Sequence, residues 1–281
     1  MQNYAFNMVM KYCLFNTFVI LLLLLPYHAS ADEGLTPIKF KGIYELSFAG
    51  LPFGKMGAEL EEKPDYYSVT TDVTFTGLLK LIVQHMSHSN AQGAGRNFLY
   101  PDIVYETHYQ TKKKKHYIKL TYTGGVLSKE EQVPPDPPGK RPEVPMDMKK
   151  DAADPVSIIL KARKLLWEAR KKGVNNFSSK LYDGNRLMQV DFTIVGDANI
   201  NYGNKSVPVI KVSARRTLLS GYTKSELSDY NPNEPPCYFF FTDDERLLPI
   251  KAQTMFLMSQ VSAMLVKECL PDESCLLGLK E

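Results

Sequence analysis

Four clusters in this sequence carry residue types that could do chemistry. His85-Met86-Ser87-His88 sets two imidazoles three positions apart. On a helix both would face one way and could share a metal ion; on a strand they point to opposite faces and cannot. No cluster of Cys or Glu lies nearby to complete a ligand set, so the strand reading is preferred. Asp154-Pro155-Val156-Ser157 places a hydroxyl near a helix start. A serine nucleophile needs a base within hydrogen-bond reach, and the local sequence supplies none. Asp154 as N-cap and Pro155 as first helical residue explain the motif without catalysis. Asp243-Asp244-Glu245 lines up three acids, but without the alternating spacing of a calcium loop, and reads as a hairpin turn. Lys112-Lys113-Lys114-Lys115 could meet anionic headgroups or another acidic envelope polymer. The same run also suits a solvated hairpin tip that protects the strands. There is no Gly-rich phosphate loop, no G-x-S-x-G and no usefully spaced Cys–His pair. The sequence therefore assigns no catalytic, metal or cofactor-binding residue and implies no cofactor; a non-enzymatic role is preferred.

The ends of the chain bound where it works. In residues 1–31 a single basic residue, Lys11, precedes an apolar run from Leu14 to Leu25, Pro26 breaks it, and Ala29-Ser30-Ala31 supplies small residues at −3 and −1. The run is shorter than the roughly 20 residues that span a bilayer. It reads as a signal peptide cleaved after Ala31, which sends the protein to the periplasm. What remains carries no transmembrane segment and is nearly neutral, with 33 basic residues (34 less Lys11) against 31 acidic. That balance argues against a nucleic-acid partner, which calls for a concentrated basic footprint.

Export makes a disulfide the ordinary fate of a cysteine pair. Beyond the leader the cysteines are Cys237, Cys269 and Cys275. The segments Tyr238 to Phe241, Leu247 to Met255 and Val261 to Lys267 read as an up-down-up meander, which sets Cys237 and Cys269 at opposite ends. Cys269 and Cys275 are separated only by Leu-Pro-Asp-Glu-Ser. The Cys269–Cys275 bridge is favoured, leaving Cys237 outside it; a strongly bent sheet keeps the longer pairing open.

The elements that must position these groups are mostly strands. Phe40, Tyr44, Leu46 and Phe48 share one face, with Lys41, Glu45 and Ser47 on the other. Gly50-Leu51-Pro52-Phe53-Gly54 turns the chain, Met56, Ala58 and Leu60 resume the pattern, and Tyr67, Val69, Thr71, Val73 and Phe75 continue it. Gly77 to Val83 interrupts it as a continuous apolar stretch, either a buried element or the lip of a lipid-holding cavity. Strands are expected again over Val104 to Tyr109, His116 to Tyr122, Met188 to Ile194, Lys205 to Thr217 and the terminal meander. Six prolines between Val133 and Pro145 mark an exposed Pro-rich loop, residues 132–150, inside one β-rich domain over 32–281. One helix follows it: Ile158, Ile159, Ala162, Leu165, Leu166 and Ala169 keep helical spacing, and Arg170, Lys171 and Lys172 favour its C-terminal dipole before Gly173 stops it.

Several of these pieces occur together in one known family. Gly50-Leu51-Pro52-Phe53-Gly54, Thr76-Gly77-Leu78-Leu79 and Tyr100-Pro101-Asp102 appear in order, followed by Asp154-Pro155-Val156-Ser157, Tyr182-Asp183-Gly184-Asn185-Arg186 and Asp243 to Ile250. In this order the sequence resembles the bacterial envelope family catalogued as domain of unknown function 3108, DUF3108. The Pro-rich loop and the tail with Cys269 and Cys275 depart from it. The resemblance implies a periplasmic, mainly β protein: a large curved antiparallel sheet, half-barrel or barrel-like, with one main α-helix packed on it. It implies no activity. By fold-level analogy with lipoprotein carriers, the concave face is expected to hold a lipid or other hydrophobic ligand, lined by Tyr44, Phe48, Phe53, Phe75, Leu78 and Leu79. The same residues could form a closed core. The alternative is an envelope-integrity scaffold that contacts other envelope proteins through the Pro-rich loop and the lysine tip.

Overall fold

A computed structural model describes residues 35–77, 85–111, 114–256 and 258–278. The proposed leader, Leu78, Leu79, the rest of the apolar stretch through residue 84, and Lys112 and Lys113 lie outside the described residues. Thirteen strands form one antiparallel sheet: β1 Ile38–Phe48, β2 Leu51–Glu62, β3 Tyr66–Phe75, β4 His85–Arg96, β5 Leu99–Thr111, β6 Lys115–Thr123, β7 Val126–Val133, β8 Asn176–Tyr182, β9 Leu187–Tyr202, β10 Lys205–Ser220, β11 Cys237–Thr242, β12 Pro249–Phe256 and β13 Ser259–Glu268. Among the described residues the helices are α1, Ile158–Lys172, and the short α2, Lys224–Ser228. The sheet order is β7-β6-β5-β4-β3-β2-β1-β13-β12-β11-β10-β9-β8, so two meanders join where β1 pairs with β13. This confirms a curved antiparallel sheet with one main helix.

Alternating burial shows which face turns inward. On β1, Ile38, Phe40, Tyr44 and Leu46 are buried while Lys39 is exposed and Lys41, Glu45 and Ser47 are half-buried. Their inward partners include Met56, Leu60, Tyr67, Val69, Tyr105 and Leu120, which belong to one apolar cluster with Ile159, Ala162 and Leu166 of α1. The strand reading preferred for His85 to His88 holds in β4, but the strand runs on to Arg96 through Ser-Asn-Ala-Gln-Gly, which carries few apolar residues; cross-strand bonds such as Ser89–Thr107 at 2.8 Å and Asn90–Thr70 at 2.8 Å hold it instead.

The two outer strands, β7 and β8, do not share a ladder. The chain between them fills the gap. Ala153 N donates to Lys180 O and Tyr182 N donates to Ala153 O, both at 2.9 Å, a parallel bridge onto β8. On the other side Asp151 N donates to Gly125 O at 2.8 Å, and Lys149 Nζ to Glu130 of β7 at 2.8 Å. Tyr182 OH of β8 donates to the same Glu130 at 2.7 Å. Curvature thus comes nearly to closure, with a seam of side chains and one extended segment. The Pro-rich loop leading into this seam is largely exposed, as its prolines imply, but Val144 and Lys149 are buried, and Arg141 bonds Asp136, Gly221 O and Glu226.

The regular helix starts three residues later than its sequence signals imply: Ser157, not Asp154, stands at the N-cap and makes no side-chain cap bond, while Asp154 holds the turn over residues 155–157 that leads in. Asp154 accepts from the backbone N–H groups of Val156 and Ser157 at 2.8 Å each, and Ile158 N donates to Asp154 O at 3.1 Å. Regular helix begins at Ile158, and Gly173 at φ 65° closes it.

The C-terminal segment crosses the outer face. Cys269 and Cys275 are bridged, with Cα atoms 6.0 Å apart, as expected; Cys237 is buried and lies outside the bridge. Glu59 accepts from Ser274 Oγ and Cys275 N, and buried Asp72 accepts from Leu277 N at 2.8 Å. A Cβ on Gly57 would sit 2.1 Å from Cys275 O, so only glycine permits this crossing.

Candidate binding cleft

Helix α1 lies across one end of the curved sheet and is pinned there by charge. Arg163 is fully buried on the helix, yet it bonds Glu62 of β2 at 2.5 Å, Thr36 O before β1 at 2.6 Å and Arg246 O of the β11–β12 turn at 2.5 Å. Burial pushes the Glu62 carboxyl up and the Arg163 guanidinium down. A guanidinium starts so high that Arg163 keeps its charge, and the pair is ionic. Lys164 Nζ donates to Asn97 O in the β4–β5 turn at 3.0 Å, and Arg170 pairs with Asp243 at 2.8 Å.

Between α1, the β4–β5 turn and β5 a cleft of about 460 Å³ remains open. That falls within the roughly 300–1,000 Å³ of small-molecule sites. Its walls are mainly apolar and aromatic: Tyr67, Phe98, Tyr100, Ile103, Tyr122 and Leu160. Tyr67 and Tyr100 meet edge to face, with centroids 4.7 Å apart. Lys161, Lys164 and Glu168 bring charge to the helix side. Burial lowers the pKa of both lysines. Lys161 Nζ also donates to Asp151 O at 2.5 Å, and Lys164 lies 3.9 Å from Glu168.

At the cleft wall a polar chain is closed. Ser157 Oγ donates to Asp154 Oδ2 at 2.5 Å, so Tyr67 OH, also at 2.5 Å, must be the donor to Ser157. Burial raises the pKa of Asp154 and of Tyr67. The serine's one proton is held by a carboxylate that also holds the turn before the helix, with no imidazole on the hydroxyl. This chain orients Tyr67 and the helix start; it does not present an activated nucleophile. Among the described residues no group of three His, Cys, Asp or Glu side chains could hold a metal ion. His88 instead places Nδ1 2.6 Å from Asp72 on the outer face.

The residues expected to line a groove lie elsewhere. Tyr44 is fully buried, with its hydroxyl 3.4 Å from Pro249 O, and Phe53 and Phe75 pack edge to face with centroids 5.5 Å apart. Phe48 is partly exposed at the far end of β1. None of these four lines the cleft. The cleft is absent from the sequence-based expectations because its walls come from β3, β5, β6 and α1. One signal was available: Lys161 and Lys164 interrupt an apolar helix between Leu160 and Leu165.

The family described as "Protein of unknown function (DUF3108)" matches residues 43–266. The chain belongs to the DUF3108 family. No curated protein matches the sequence. Among solved structures, a β-barrel-like protein of the DUF1849 domain from Brucella abortus superposes with a TM-score of 0.54 at 11% identity, covering 85% of this chain and 100% of that one. At that identity the likeness concerns the fold alone, and it agrees with a DUF3108 fold of barrel type. A proposed lipoprotein from Parabacteroides distasonis, at 11% identity over 84% of this chain and 97% of its own, has a TM-score of 0.37, too low to carry an argument.

Proposed function

We propose that this DUF3108 protein is an exported, periplasmic binding module that takes an apolar group bearing an acidic end into the cleft between α1 and β5. The observation that carries this reading is the cleft itself: an aromatic and aliphatic lining with two lysines on one wall. Burial of an acyl or aromatic group would recover apolar area now facing solvent, and a carboxylate or phosphate would answer Lys161 and Lys164. The leader-like residues 1–31 and the Cys269–Cys275 bridge support an oxidising compartment. The scaffold alternative draws on the Pro-rich loop, but Arg141, Val144 and Lys149 tie that loop into the fold, so the cleft is preferred.

Native mass spectrometry of the exported protein, with extraction of any bound species, tests the proposal. A bound amphiphile at defined stoichiometry is expected. Ile103→Trp, which fills the cleft from β5, should abolish it while leaving the circular dichroism spectrum unchanged. A clean apo mass combined with failure to take up fatty acids or lysophospholipids would overturn it.

A further inference from the structure

The opposite end of the sheet carries a second feature, independent of the cleft. In an antiparallel meander successive turns alternate between the two ends, so the β1–β2, β5–β6 and β12–β13 turns all lie away from α1. The first and last of these are neighbours: Phe48 pairs with Val261, and Ala49 N donates to Gln260 O at 2.8 Å. Large apolar side chains project from them into solvent. Leu51 is 72% exposed, Met258 95%, Met255 45% and Phe48 36%. Lys114 and Lys115 are exposed at the β5–β6 turn, and Lys55 is exposed on β2 near its turn. No Asp or Glu occurs within residues 48–56, 73–77, 85–89, 108–116 or 254–260.

We propose that this end of the protein docks on a membrane surface rich in anionic phospholipid. The hairpin tips would enter the boundary between headgroups and acyl chains, and the lysines would meet lipid phosphates. Two features favour a lipid surface over a protein partner. The apolar residues stand on separate, exposed tips rather than lining a groove that a helix or strand could fill. The three tips themselves carry charge of one sign; the acids at the same end, Asp183, Glu226, Asp229 and Glu234, stand in the β8–β9 and β10–β11 connections, where Arg141, Arg186 and Arg216 pair all but Asp229, so two copies meeting tip to tip would offer no anions to these lysines. Docking this way leaves the cleft at the far end open to solvent.

Flotation of the exported protein with vesicles tests this, using phosphatidylglycerol mixed with phosphatidylcholine against phosphatidylcholine alone. Binding to the anionic vesicles only, weakening with added salt, is expected. Lys114→Gln with Lys115→Gln, at exposed positions that do not bear on folding, should weaken binding about 25-fold, or about fivefold per lysine, the factor that corresponds to ~1 kcal/mol each. Leu51→Asp with Met258→Asp should remove the binding that survives in high salt. No flotation of the unmodified protein, or equal flotation of both variants, would overturn the proposal. A dimer in analytical ultracentrifugation that Leu51→Asp dissociates would also overturn it, assigning the tips to a second copy.

Discussion

Replacing Arg163 by Met probes the contact that fixes α1, and with it one wall of the cleft. The methionine keeps much of the side-chain volume but leaves Glu62 as a buried carboxylate without its cation. Removing one partner of a buried pair costs about 3–5 kcal/mol. The carbonyls of Thr36 and Arg246 lose their charged donor as well. These losses overlap, and about 4 kcal/mol at pH 8 is the expected sum. The deficit must depend on pH. Burial already raises Glu62 above an ordinary carboxyl, and losing Arg163 removes the charge that opposes this rise. A carboxyl whose folded pKa is raised stabilises fully below its unfolded value, about 4.3, and that contribution is lost as pH climbs through the folded value. The variant should therefore approach the unmodified protein at pH 5 and fall furthest behind at pH 8. Glu62→Gln combined with Arg163→Met should recover about half the loss, since no charge is then buried. Urea unfolding of the oxidised protein at both pH values measures all three. A loss below ~1 kcal/mol at pH 8, or one that does not vary with pH, would refute the pinning argument.

Two further outcomes concern the sheet apart from Arg163. Glu268 lies opposite Gly42 on the inward face, where burial outweighs Arg246 and pushes its carboxyl up to about 7. Its stabilising contribution is present below the ordinary carboxyl value and lost as pH rises through about 7; Glu268→Gln should thus flatten the thermal unfolding profile between pH 5 and 8 and stabilise at pH 8 by ~1 kcal/mol, a figure reduced for its partial exposure. Gly57→Ala drives a methyl group against Cys275 O and should lift the C-terminal segment from β2, seen as loss of amide protection at Leu277 and faster reduction of Cys269–Cys275 by dithiothreitol; unchanged protection and reduction would contradict the close crossing.

Much of the local architecture was legible because it depends on consecutive residues. Tyr67-Ser68-Val69-Thr70 alternates at the strand period whatever it pairs with, Gly173 marks the helix end through its own backbone freedom, and Asp154 and Pro155 mark the turn that leads into the helix, three residues before its regular start. The Cys269–Cys275 bridge was accessible for the same reason, since five residues between two cysteines leave little freedom. Tertiary structure alone decided the rest. β4 became a strand through hydrogen bonds to its neighbours rather than through apolar alternation. Tyr44, Phe53 and Phe75 went to the packed interior because β1 pairs with β13 and the sheet curls onto α1, a pairing between chain ends that no local pattern encodes. Nothing in the local sequence distinguishes Arg163 from the other cations of the helix, because its partner Glu62 lies 101 residues away. The cleft follows the same logic. An open space exists only where several distant segments fail to meet, so its walls are set by register and curvature, while the lysine tips and hairpin ends, exposed by their place in the chain, could be read directly.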